Sequence, residues 1–365
     1  MEAWDWPLPE ELVARYPARK REDARLMVLR PDGGPEHGQI PDLPGWMSAG
    51  DLLVLNETRV LPVRLLGRKT TGARAEVLLV EPAPGGDSRS WHALVRPGRK
   101  LRPGHRVQVG DGLEVAILDR LTDGGRLVRL ESALPVEEAL EQWGRLPLPP
   151  YLEREEEDID RVRYQTVYAR VPGSVAAPTA GLHLTDGLLD RLREEGVRVA
   201  RVTLHVGPGT FRPVEAERVE DHGMHAERWE VPPEAALAVD AARERGGRIW
   251  AVGTTVVRTL ESAARGDGGR VEAGSGETRL FLRPGRKVQV VDGLLTNFHL
   301  PRSTLLMLVA TFAGYHRTRA AYREAVETGY RFYSYGDAML VPPDVVRAGA
   351  PGGSAGDRND ASPVV

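Results

Sequence analysis

A layered α/β protein interrupted by a small antiparallel β-barrel is the fold the sequence predicts, on three observations. Residues 26–29 and 52–55 are continuous apolar runs of the kind that form strands buried on both faces. From residue 186 onward, strand-like and helix-like segments alternate, as they do in a layered α/β sheet. Between residues 62 and 132 the texture changes to short alternating runs, parted by turn clusters such as Pro84-Gly-Gly-Asp87, Asp111-Gly112 and Asp123-Gly-Gly125.

In chain order, residues 9–14 read as a short acidic helix and residues 15–25 as a basic stretch leading into the first strand, 26–29. The second strand, 52–55, ends in Asn56, Glu57, Thr58 and Arg59, polar groups placed either to meet a ligand or to close a turn by local hydrogen bonds. Runs at 74–80, 91–95, 106–109, 113–118 and 126–130 predict the barrel. It is an insertion whose work is docking a partner or stabilising the whole. The proline-rich residues 147–151 and the charged residues 153–163 read as the return crossing, with the charges on a solvated face. Helices are then expected at 186–195, 233–245, 256–264, 302–313 and 317–327, and strands at 197–206, 248–252 and 279–282. The resulting division is an α/β domain of residues 1–60 and 150–341, a barrel of 61–149, and a disordered tail of 342–365.

The chain has 365 residues, of which 41% are hydrophobic and 28% charged, the balance of an ordinary globular protein. With no cysteine, disulfides, cysteine nucleophiles, Cys-ligated zinc and iron–sulfur clusters are excluded together. No apolar run approaches the roughly 18 residues of a membrane span, and the first residues lack the regions of a signal peptide, so a cytoplasmic protein with no membrane partner is expected. A formal charge of −3 requires that any RNA binding come from a local basic face. No phosphate loop with Gly-Lys-Ser/Thr and no Gly-x-Gly-x-x-Gly after the early strands is present, which removes support for triphosphate and ordinary dinucleotide binding.

Ser174-Val-Ala-Ala-Pro-Thr-Ala-Gly-Leu-His-Leu-Thr185 has the composition of a site loop. Pro178 fixes a backbone angle, Gly181 permits a tight turn, and Thr179 and Thr185 flank His183 with hydroxyls. In the next such segment a β-branched run ends at His205 and passes into Gly207, Gly209 and Thr210, a strand-then-glycine order typical of ligand sites in α/β sheets. His222 and His225, with Asp221 and Glu227, invite a metal reading. Neither their spacing nor the supporting ligands match a zinc signature, and a loop with one ligand-facing histidine is preferred. Val252-Gly-Thr-Thr255 has the form of a strand passing into a helix start. There free N–H groups, Thr254 and Thr255 can receive an anion, with Arg258 reaching back to it or pairing with Glu261. Asn297-Phe-His299 and Tyr333-Ser-Tyr-Gly-Asp337 again set polar residues where a strand meets a turn.

Taken together, the segments from about Arg25 to Val341 resemble the bacterial S-adenosylmethionine:tRNA ribosyltransferase-isomerases of queuosine biosynthesis. The resemblance is carried by residues 50–62, Arg163-Tyr-Gln-Thr-Val-Tyr-Ala169, 173–183, Thr203-Leu-His-Val-Gly-Pro-Gly-Thr-Phe211, 252–255, 296–307 and Tyr335-Gly-Asp-Ala-Met339. Pro208, Val256 and Ala226 depart from the family pattern, which has alanine at the first position and serine at the other two, so those serines are poor candidates for indispensable chemistry.

The resemblance implies an α/β domain interrupted by a β-barrel. It also implies transfer and isomerisation of the ribosyl group of S-adenosylmethionine onto preQ1 at the tRNA wobble position, giving epoxyqueuosine, adenine and methionine. S-adenosylmethionine is then a consumed substrate, no cofactor or metal is required, and a monomer is expected. The sulfonium acidifies the C5′ proton, so a neutral imidazole can remove it, and an acid eases the departure of adenine. His183 is the favoured base, with His205, His225, His299 and Asp337 as the other catalytic candidates. Substrate-binding candidates are Asn56 and Arg59 after the second strand, then Tyr164, then Thr179, Gly181 and Thr185 around His183. Gly207, Gly209 and Thr210 follow His205; Thr254, Thr255, Arg258 and Glu261 belong to the helix start, the first three taking the methionine carboxylate; Asn297 completes the set. Phosphate contacts are expected from Arg15, Arg19, Arg21, Arg59, Arg96 and Arg99. A metal-dependent hydrolase built on His222 and His225, and a non-catalytic RNA-binding module, are the alternatives.

Overall fold

The computed structural model describes residues 2–211, 218–266 and 268–348. Among them the largest sheet has nine strands. Its centre is four parallel strands in the order Arg198–Leu204, Leu52–Asn56, Ile249–Val252 and Gly293–Asn297. Glu227–Val231 and Gly274–Thr278 extend one side antiparallel. On the other side Ala338–Val341 runs antiparallel to Gly293–Asn297, followed by Arg25–Val28 and the edge strand Glu36–Gln39.

The apolar run at residues 52–55 shows why this sheet is covered on both faces. Successive side chains of a strand point to opposite sides. Leu52 and Val54 join the core beneath the helices Pro233–Glu244, Thr254–Ala263 and Thr304–Ala313, while Leu53 and Leu55 join the core beneath Asp186–Glu194. All four are fully buried.

Six strands, from Arg64–Lys69 to Arg126–Glu131, close into an antiparallel barrel filled by Leu65, Val77, Val107, Val115 and Val128. The helix Val136–Trp143 covers its core with Ala139 and Leu140. Gly112 is required there, because a Cβ would overlap the Trp143 ring.

Several local expectations need correction. Residues 9–14 form only a 3-10 turn, Glu10–Leu12. The strand expected at 279–282 lies at Gly274–Thr278, a glycine-rich polar stretch held by pairing with Glu227–Val231 rather than by apolar burial. Within the charged crossing, Asp160 is wholly buried instead of solvated, because Arg154 meets both its oxygens at 2.7 and 2.8 Å and the Tyr335 hydroxyl donates to it at 2.7 Å. The segment expected to be disordered from 342 begins with a helix, Pro343–Ala348, whose Val345 packs in the core; residues 349–365 lie outside the described residues. Among the described residues no helix is long and apolar enough to cross a membrane.

At the amino end of the central strands, buried Asp51 accepts from the Arg248 N–H at 2.8 Å, the Ser48 N–H at 3.0 Å and the Trp250 indole N–H at 2.9 Å. Asp51→Ala orphans these donors and is expected to cost about 3 kcal/mol, read as a lower urea midpoint with unchanged slope. Asp51→Asn, which keeps one acceptor oxygen, should recover part of that loss.

Candidate active site

The four parallel strands end on the same side of the sheet, and the chain leaving three of them lines a cavity of about 70 Å³ through Val206, Gly253 to Thr255, and Asn297 with His299. Pro178, Thr179, Tyr151 and Tyr333 form the opposite wall. Carboxyl ends of parallel strands are where open α/β sheets receive ligands. Gly253, at φ 90°, makes the turn from strand to helix, so Thr254–Ala263 starts directly at the cavity. Thr254 is 7% exposed and has no hydrogen-bond partner among the described residues. The Thr255 hydroxyl accepts from the Asn56 amide at 3.1 Å, and the same amide exchanges bonds with the backbone of Leu204 at 3.0 and 3.1 Å. Asn56 thus ties adjacent strand ends and sits behind the cavity wall.

Asn297 joins the other parts. Its carbonyl oxygen accepts from the Thr179 hydroxyl at 2.9 Å, and its amide donates to His183 Nε2 at 3.0 Å and to the Tyr333 carbonyl at 3.1 Å. Tyr333 has φ 71°, an uncommon conformation for a residue with a side chain. Its ring lies 4.4 Å from that of Tyr151, whose hydroxyl bonds the Ser334 hydroxyl and whose pKa burial pushes up to about 12.

His183, the expected base, is buried behind Asn297 and lines neither this cavity nor the cleft described below. Burial, reinforced by Arg331, Arg21 and Arg163, lowers its pKa to about 3, and its Nε2 lone pair is engaged by the Asn297 amide. In this arrangement the ring orients Asn297. His299 does line the cavity; burial lowers its pKa to about 3, and its Nε2 lies 2.8 Å from the Thr296 hydroxyl.

A wider cleft, about 630 Å³, separates this region from the barrel. His205, His222 and His225 line one side, and Glu81, His92 and Leu121 of the barrel the other. His205 Nδ1 lies 2.9 Å from the Thr58 hydroxyl, and burial together with Arg228 lowers the ring's pKa to about 4. Its ring packs on Gly173, where a Cβ would come within 2.9 Å. Gly207 donates to Glu227 at 3.2 Å, and Gly209 leaves room for the His225 ring. Val206 and Leu305 belong to both spaces.

Other candidates stand away from the small cavity. Asp337 is buried and accepts from the Arg25 and Arg331 N–H groups at 3.0 and 2.8 Å, clamping the two segments together. Thr185 caps the helix Asp186–Glu194 by accepting from Leu188 and bonds Glu22. Arg258 neither reaches Thr254 and Thr255 nor pairs with Glu261: it forms a buried ion pair with Glu227, while Glu261 accepts the N–H groups of Gln289, Val290 and Val291. Tyr164 is buried edge-on against Tyr335, Gly181 packs under Tyr168, and Arg59 bridges to Glu141 at 3.3 Å. Arg15 pairs with Glu10 and Glu153, and Arg21 binds the carbonyls of Leu182, Val162 and Gln165. The Thr210 side chain lies outside the described residues. Among the described residues no three His, Asp or Glu side chains come together to hold a metal ion.

Tyr151, Thr296 and Ser303 were not foreseen as site residues. Tyr151 follows a proline run that reads only as a crossing, and nothing in the sequence brings it beside Tyr333.

A mainly apolar cavity with a few polar groups, set at the carboxyl ends of a parallel sheet and sharing Val206 and Leu305 with a cleft beside the barrel, has the form of a ligand site in an α/β enzyme. Residues 1–341 match the family model described as queuosine biosynthesis protein. A protein of Anaeromyxobacter sp. (strain Fw109-5) named S-adenosylmethionine:tRNA ribosyltransferase-isomerase is 54% identical over 93% of this chain and 97% of its own. Its namesake from Trichlorobacter lovleyi is 50% identical over 93% and 98%. The crystal structure of S-adenosylmethionine tRNA ribosyltransferase from Thermotoga maritima matches with TM-score 0.53 and 37% identity, over 93% of this chain and 99% of that one. The chain belongs to the queuosine biosynthesis protein family and is an enzyme of the ribosyltransferase-isomerase class.

The buried imidazoles make stability depend on pH. His183 and His299 near 3 and His205 near 4 stay neutral when folded, whereas unfolded histidines titrate at about 6.5. Between those values only the unfolded chain takes up the protons. Stability is therefore full above about pH 6.5 and declines by a few kcal/mol as the pH falls towards 3. His183→Gln should start less stable but lose less melting temperature between pH 7 and pH 4 than the wild type.

Proposed function

We propose that the protein transfers and isomerises the ribosyl group of S-adenosylmethionine onto the aminomethyl group of preQ1 in the tRNA anticodon, giving epoxyqueuosine with release of adenine and methionine. S-adenosylmethionine is consumed and no further cofactor takes part. The observation carrying this reading is that the small cavity and the wide cleft share Val206 and Leu305, so a small substrate in one meets an unstacked base entering through the other.

RNA binding in the cleft is supported by the exposed turn carrying Arg96, Arg99 and Lys100. Buried Arg126 holds that turn by donating to the carbonyls of Gly98 and Leu101 while also binding those of Gly124 and Gly125, and Gly125 lines the cleft. Recognition of a splayed base beside phosphate-binding arginines is the usual arrangement for a structured RNA loop. Such a substrate fits a cytoplasmic enzyme.

His205 is the base best supported for removing the C5′ proton. It lines the cleft next to Val206, and in the tautomer whose Nδ1 donates to the Thr58 hydroxyl, Nε2 accepts. A pKa near 4 makes it a weak base that is always unprotonated at neutral pH, suited to a proton the sulfonium has already acidified. His299, facing the small cavity, is the alternative.

Purified protein mixed with S-adenosylmethionine and a preQ1-containing anticodon stem-loop should release adenine and methionine and add the epoxy-cyclopentanediol mass to the nucleoside. His205→Gln should lower adenine release by about a hundredfold or more while S-adenosylmethionine still binds. An unchanged rate would move the base to His299, and no product with folded wild type and competent RNA would remove the proposal.

A further inference from the structure

Two ten-residue helices, Thr254–Ala263 and Thr304–Ala313, begin at the small cavity. The first turn of a helix leaves N–H groups without intrahelical partners and carries a positive partial charge, so it favours an anion. The second helix is capped, its Ser303 hydroxyl accepting from the Leu306 N–H at 3.2 Å. The first is not: its N-cap is Gly253, which has no side chain to offer.

An independent observation points to a polar ligand group at the uncapped end. Thr254 is more than nine-tenths buried, lines the cavity, and its hydroxyl bonds no protein group among the described residues. Beside it, the Thr255 hydroxyl accepts from Asn56, which leaves its own proton to donate. Among the described residues no Asp, Glu, Lys or Arg side chain lines the cavity, so the two helix starts are its nearest source of positive potential. At about 70 Å³ the space is on the order of two waters at about 30 Å³ each, the size of a carboxylate rather than a nucleoside.

We infer that this cavity receives the carboxylate of the methionyl group of S-adenosylmethionine, on the first-turn N–H groups and hydroxyls of Thr254 and Thr255. The sulfonium and ribose then point to the Val206 and Leu305 junction, where the reaction takes place. The ligand's identity rests on the function proposed above; the place of its carboxylate rests on the cavity. Arg258, buried against Glu227, has no role in holding it.

Equilibrium dialysis with the full chain decides this, comparing S-adenosylmethionine with its decarboxylated analogue, the same sulfonium bearing a propylamine arm without the carboxylate. Wild type should favour the carboxylate-bearing ligand at least tenfold. Thr254→Val, nearly isosteric but without the hydroxyl, should weaken S-adenosylmethionine binding about tenfold to a hundredfold, as expected for losing one hydrogen bond to a charge, and leave the analogue unchanged. Thr254→Ser should restore the preference. Thr254→Ala is measured alongside, and melting temperatures without ligand identify any variant that has lost its fold. Equal binding of both ligands by wild type, or equal weakening of both by Thr254→Val and Thr254→Ala, would overturn the carboxylate site while leaving the proposed function standing. If wild type bound neither ligand, the proposed function itself would fall, and this inference with it.

Discussion

The side-chain amide of Asn297 is the joint on which the site depends. A primary amide offers an acceptor and two donors in one plane. Here they engage Thr179 and His183, the two ends of one short helix, and the Tyr333 carbonyl, so that two segments far apart in the chain meet at the end of one strand. The bond to Tyr333 helps hold a tyrosine at φ 71°, a conformation that persists only when its surroundings over-determine it. The bond to His183 needs a neutral ring with an available lone pair, and burial among Arg331, Arg21 and Arg163 supplies that condition. Asn56 has the matching role elsewhere along the same sheet, joining Leu204 to Thr255.

Charge is distributed unevenly around this joint. The small cavity has mainly apolar walls, and among the described residues no Asp, Glu, Lys or Arg side chain lines it, so backbone dipoles, which are fixed and need no reorganisation when a ligand enters, contribute much of its potential. Charged groups stand one layer back and are paired: Arg258 with Glu227, Arg154 with Asp160, and Asp337 with the N–H groups of Arg25 and Arg331. These buried pairs fix the loops that form the walls. Removing one partner of such a pair would leave a buried charge exposed to a low dielectric, which costs far more than a surface pair contributes.

The barrel completes the site without sharing the main core. Its interior is a separate apolar cluster closed by the helix Val136–Trp143, and it meets the cleft through Glu81, His92 and Leu121. A closed barrel has no free strand edges, so it presents a rigid rim with basic turns above a site built by the sheet.

Periodicity alone determined the architecture of this protein: a fully apolar run such as residues 52–55 can be satisfied only with cover on both faces, and closely spaced alternating runs can be satisfied by a barrel. Local composition also marked the loops at strand ends that now surround the cavity, with Thr179, Thr254, Thr255, Asn297 and His299 among them. Tertiary structure decided which side chain in each loop faces the ligand. His183 and Asp337 have the chemistry of catalytic groups, yet packing turned both inward, where one receives an amide and the other clamps two N–H groups. Arg258 lies one helical turn after Thr254 and Thr255, but Glu227 arrives from another strand and claims it. Tyr151 meets Tyr333 only because the crossing folds back over the sheet. Residue type and spacing are local properties, whereas burial and the choice of partner depend on segments far apart in the chain, and so they emerge only when the sheet has assembled.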